Sequence, residues 1–245
     1  MNHLLAVVLL VGTMSCKPAE KLKHQLQSGP FTYFADERDS SVVRDISVLM
    51  DSASDGVSRN LGVVYKHPVT VEVYPTQEEF NANIMNPLMR GTPAVSGAYR
   101  IQMVSPASPI ALQGIPYRER LWFAVHEFTH LVIDQISEDV PAWLDEGLAC
   151  YEGSFMFYSY VCHNSMPESE PPTLTALTGS YERISAADVY SFSLVEFLIR
   201  RYGRAKINHL LREPQEIQKV FGVSPNDIRE QWKVFISSNH RTATH

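Results

Sequence analysis

The chain has 245 residues, a mass of 27.7 kDa and 44% hydrophobic residues, enough for one sizeable globular domain or two closely packed subdomains. A net charge of -6 and a pI near 5.8, with no basic run interleaved with aromatics, argue against a nucleic-acid partner. There are no internal repeats, no Gly-rich phosphate loop and no Gly-x-Ser-x-Gly elbow, and no serine stands in a recognisable nucleophile setting.

Leu4 to Val11 is an apolar run too short to cross a bilayer and suited to the core of an export signal. It is followed by Gly12-Thr13-Met14-Ser15-Cys16, which resembles a bacterial lipoprotein cleavage site with Cys16 as the lipidated first residue, although the head of the signal lacks Lys or Arg and Thr13 replaces the usual leucine. An ordinary signal peptide cleaved nearby is the alternative. The expected organisation is therefore a signal over 1–16, a polar tether over 17–30, a folded domain over 31–238 and a tail over 239–245. Such a protein would be exported and held in the bacterial cell envelope through a lipid anchor in the membrane.

Within the domain, Phe31 to Phe34 suits a strand and Val42 to Leu61 a helix stopped by Gly62. Val69 to Tyr74 alternates as a strand halted by Pro75, after which Thr76 and Glu79 form a capping box for a helix to about Ile84. Ala94 to Ser105 is the next strand, and Ser105 to Pro116, rich in proline, is a loop.

Two helices separated by a turn at Ser137 to Val140 follow, spanning Tyr117 to Glu152 and carrying His126-Glu127-Phe128-Thr129-His130 and Trp143-Leu144-Asp145-Glu146-Gly147. At about 100° per residue, His126 and His130 project together. Leu121, Val125, Phe128, Val132 and Ile136 form a separate stripe roughly 140° away, so one face packs and the other looks into a cleft. Glu127 falls between, where a carboxylate can take a proton from a metal-bound water without ligating the metal. Catalytic zinc typically has three protein ligands and one open position, and Glu146, sixteen residues after His130 and beside Gly147, is the best third ligand. Cys150 and Cys162 are candidates for a disulfide from the glutamate-bearing helix to the loop after it, with two buried thiols as the alternative.

After Gly153 the pattern weakens. Phe155 to Pro172 reads as an irregular loop shaping a pocket, with His163 as a surface or structural histidine. From Ser185 the chain is helical: one helix ends before Gly203, and others span 204–212, 215–221 and about 225–237.

The run Val125 to His130 with Pro141 to Ala149 resembles the gluzincins, and more narrowly the bacterial peptidase MA-like domains related to thermolysin and the zinc aminopeptidases. Val71 to Pro75 with Phe80, and Tyr190 to Gly203 with Trp232, are similar as well, so the resemblance covers about residues 30 to 238. It implies His126, His130 and Glu146 as ligands of one zinc ion, Glu127 as catalytic base, and a strand before the active helix whose open edge holds an extended peptide. It also implies a tyrosine near the position of Tyr190 that faces the site and donates to an oxyanion, although an aromatic there on an amphipathic helix also suits a core. One position departs: the aspartate that thermolysin-like sites carry four residues after the glutamate ligand is Cys150, so a ligand histidine must be oriented otherwise, by Asp134 or Asp145.

The expected fold is α+β and zincin-like, a small, mostly antiparallel sheet with helices followed by a helical C-terminal half, with the cleft between. The expected function is zinc-dependent hydrolysis of peptide bonds in a peptide or protein substrate. Two readings compete with it: an envelope-tethered zinc protein that binds or chaperones polypeptides with little turnover, and a metal-free scaffold.

Overall fold

The computed structural model describes residues 22–108, 114–166 and 170–242, without the side chains of 154–165 and 239–242. The export signal, Cys16 and the start of the tether lie outside the described residues, as do the side chains of Cys162 and His163.

Strands β1 (His24–Ser28) and β2 (Phe31–Ala35) form a hairpin that leads into helix α1 (Ser40–Leu61). β3 (Val69–Tyr74), α2 (Gln77–Asn83), β4 (Ala94–Gly97) and β5 (Arg100–Val104) follow. The helical half comprises α3 (Tyr117–Leu121), α4 (Phe123–Ile136), α5 (Ala142–Ser165), α6 (Leu174–Gly179), α7 (Ala187–Tyr202), α8 (Arg204–Arg212), α9 (Ile217–Phe221) and α10 (Pro225–Thr242). No helix among the described residues is long and apolar enough to cross a membrane.

The architecture is α+β, with a five-stranded sheet ordered β1-β2-β3-β5-β4. Its pairing is mixed rather than mostly antiparallel: β2–β3 and β3–β5 are parallel, and only the two outer pairs are antiparallel. The parallel pairs arise because α1 and then α2 intervene between the strands, as crossover connections require. Side chains alternate across the sheet. Phe31, Tyr33, Val71, Val73, Ile101 and Met103 face the main core with α1 and α4, whereas Tyr74, Phe80, Ile84 and Val104 form a smaller cluster with α2.

Three expectations are corrected. Residues 24–28 pair in register with β2 and Leu22 is already buried, so the folded part begins within the supposed tether. Alternating polar residues hide an edge strand that needs only one buried face. The single strand expected over 94–105 is a hairpin whose two-residue turn is Ala98-Tyr99. Both turn residues have positive φ, +48° and +62°, which in non-glycine residues costs roughly 1–2 kcal/mol each, so composition does not announce the turn.

The third concerns the loop expected from Phe155, which begins as a continuation of α5 to Ser165. Cys150 and Cys162 therefore stand twelve positions apart on one helix, a rise of about 18 Å, against the ~7 Å Cα separation that a bridge can span. The expected intrachain disulfide does not fit this helix.

Among the described residues β4 has β5 as its one strand neighbour, which leaves its outer side without a paired strand there. Gly97 and Arg100 flank the two-residue turn, and Pro93 O accepts from Val104 N. Alternation in an antiparallel pair then turns the odd-numbered backbone groups inward and those of Ala94 and Ser96 outward. The Ala94 carbonyl accepts from the Thr92 hydroxyl at 3.1 Å. Ser96 keeps both an N–H and a C=O facing outward.

Candidate metal centre

α4 packs against β4, β5 and α1, while α5 crosses beneath α4 and against α7. Glycines set both crossings. A Cβ on Gly147 would lie 2.6 Å from the Ser191 carbonyl oxygen of α7, and one on Gly153 would lie 2.6 Å from the Cα of His126. Both are shorter than real Cβ contacts, so only glycine fits without a shift of backbone. The close approach expected at Gly147 is real but faces α7. Gly153, which the sequence reading used only as a boundary, is the residue that brings α5 onto α4, against the backbone of His126.

This packing brings the side chains of His126, His130 and Glu146 together, the one group of His, Cys, Asp or Glu among the described residues positioned to hold a metal ion. The His126 and His130 Nε2 atoms are 3.1 Å apart, and Glu146 Oε2 lies 3.6 Å from the first and 3.8 Å from the second. Ligands at about 2.0–2.1 Å around a tetrahedral zinc would be separated by about 3.3–3.4 Å. The triangle therefore fits such an ion. Two imidazole nitrogens with a carboxylate are also a donor set suited to zinc.

Asp145 supplies the orienting contact that Cys150 does not. Its Oδ1 lies 2.8 Å from His130 Nδ1, so a proton on Nδ1 leaves the Nε2 lone pair aimed at the other ligands. Asp134, the other candidate, feels the charge of His130 but makes no hydrogen bond to it among the described residues. Burial pulls the His130 pKa down, but the Asp145 hydrogen bond and the charges of Asp145, Glu127 and Glu146 outweigh it and push it up to about 10. Burial likewise opposes the charge on Glu146, and the nearby His126 and His130 hold its carboxyl below the usual range. His126 Nδ1 is buried with no partner among the described residues. The backbone that carries it lies close against Gly153.

Glu127 is 7% exposed and follows His126 on α4, making no hydrogen bond among the described residues. Its carboxylate is therefore not committed to a structural contact. Tyr190 is 3% exposed and packs edge-on against Trp232 at 5.9 Å, a core aromatic. A different phenol stands within the field of Glu146: Tyr181 donates to Asp188 at 2.6 Å and accepts from Ser191 at 3.4 Å. Its pKa is raised by burial and then by the Asp188 contact. No spacing signal in the sequence singles it out.

A family model described as the Peptidase MA superfamily matches residues 52–238, most of the chain and both metal-site helices. The chain belongs to the Peptidase MA superfamily. That places it among peptidases at the level of the superfamily, on a fold compatible with the zincins. No curated protein matches it.

Proposed function

We propose that this Peptidase MA chain is a zinc-dependent metallopeptidase that cleaves peptide bonds in an extended polypeptide. The observation that carries the proposal is the convergence of His126 Nε2, His130 Nε2 and Glu146 Oε2, with Glu127 next to His126 in α4 and its charge acting on His130. A bound zinc ion would polarise the scissile carbonyl and make water more acidic there. Glu127 takes the proton from the attacking water and returns it to the leaving amine nitrogen, the work of a general base that becomes a general acid. Asp145 keeps His130 in the tautomer that binds metal. Ser96 on β4 offers an outward N–H and C=O for antiparallel pairing with the substrate backbone, the mode by which sheet edges hold peptides.

The test is digestion of a diverse peptide mixture by zinc-loaded residues 17–245, with products read by mass spectrometry beside Glu127→Gln. Cuts by the parent that vanish in the variant support the proposal; no cuts by the zinc-loaded parent would overturn it. The lipid anchor is a separate part of the proposal, resting on the apolar run and Ser15-Cys16. It requires Cys16→Ser to move the full-length protein from the detergent phase to the aqueous phase.

A further inference from the structure

Tyr99 holds an unfavourable conformation without being buried by it. It has φ +62° beside Ala98 at +48° in the β4–β5 turn, yet 51% of it is exposed. Its ring instead lies on the imidazole of His67, with centroids 4.3 Å apart and planes 25° from parallel. His67 belongs to the connector between α1 and β3, and that connector is fastened to α4. Gln135 accepts from Lys66 N at 3.1 Å and donates to Val64 O at 3.0 Å. Tyr65 packs edge-on to both His67, at 5.8 Å, and Phe128, at 5.1 Å.

The stack is thus held in place by the helix that carries His126, Glu127 and His130. It also sits at the end of β4, the strand that packs on that helix. The open edge of β4 ends where the turn begins, so a peptide paired with Ser96 runs on toward the exposed ring.

Resting on the peptidase reading above, we propose that the Tyr99–His67 stack is a specificity subsite that receives an aromatic side chain of the peptide lying along β4. A rigid, half-exposed ring face suits an aromatic partner, since aromatic pairs gain attraction beyond the area they bury. Strain held at an exposed turn is also how binding sites keep a side chain presented.

The test uses binding rather than cleavage. Zinc-loaded Glu127→Gln, which leaves bound peptide intact, is applied to an array of ten-residue peptides in which each aromatic residue is replaced in turn by alanine. The double variants Glu127→Gln/Tyr99→Asn and Glu127→Gln/His67→Ala are applied in parallel. Asparagine tolerates the left-handed turn, so Tyr99→Asn removes the ring without burdening the fold. The single variant should retain peptides with an aromatic residue at one fixed place five- to tenfold better than their alanine versions, and Tyr99→Asn should abolish the difference. Equal discrimination by the single variant and its Tyr99→Asn derivative, or no discrimination by the single variant, would overturn the subsite. Failure of the peptidase reading is seen separately, as absence of cuts when the protein with Glu127 intact is given the same peptides.

Discussion

Asp145 Oδ1 lies 2.8 Å from His130 Nδ1, and a proton held between them would leave Nε2 free for a cation. Replacing such orienting partners typically costs 10–100-fold in metal affinity, so Asp145→Asn should weaken zinc binding by that order while leaving the fold intact, as read by competition with a chromophoric chelator. Unchanged affinity would mean that His130 is oriented by packing alone. The same contact gives a pH prediction. In the metal-free protein His130 has a pKa of about 10, raised above an unfolded value near 6.5, so its contribution to stability is complete below about pH 6.5 and lost as pH rises toward 10. On the proposed function, a bound zinc ion would displace that proton. Titration calorimetry at pH 7 in buffers of differing ionisation heat should therefore show release of about one proton from this site, and no release would contradict the assignment.

The three residues that converge at the candidate site were legible in the sequence because the signal lies in spacing: i and i+4 for the histidines, and a second helix a short turn away for Glu146. Asp145 was visible only as one of two alternatives, since a choice between it and Asp134 depends on the angle at which the helices cross.

At the scale of elements, the crossings are set by two glycines with opposite faces. Gly153→Ala sets a methyl against the His126 backbone, which cannot swing aside as a side chain would, and should cost about 1–3 kcal/mol in chemical denaturation together with loss of zinc affinity. Gly56, in the middle of α1 with no atom within 4 Å of a Cβ placed there, is the control: Gly56→Ala should stabilise by about 0.5–1 kcal/mol. If both substitutions behaved alike, helix propensity rather than the close crossing would explain Gly153. Regular elements with strong periodicity, such as α1 and β3, were read with nearly their observed bounds. Those whose signal depends on a partner strand were not: β1 alternates polar residues at a sheet edge, and the Ala98-Tyr99 turn lacks the asparagine or glycine that usually marks one. The extension of α5 was hidden because Phe155 to Ser165 lacks a clear amphipathic period.

Across the whole molecule, the mixed sheet and the helical half are joined at α4, which packs on β4 and β5 on one side and on α5 on another. An ion held between α4 and α5 therefore ties together the two helices that define the site. Because the ligand triangle exists only in the folded chain, zinc at a thousand times its dissociation constant should add about 4 kcal/mol to stability, seen as a rise in Tm that a chelator reverses. A Tm indifferent to zinc and chelator would support the metal-free scaffold instead.

X-ray absorption at the zinc edge of the zinc-loaded protein tests the central claim most directly. The account predicts one zinc per chain with only nitrogen and oxygen ligands at about 2.0–2.2 Å, two of them imidazoles, and loss of one imidazole signal in His130→Ala. A sulfur ligand at about 2.3 Å, which would bring a cysteine into the site, or zinc binding unaffected by loss of His126, His130 and Glu146 together, would contradict it.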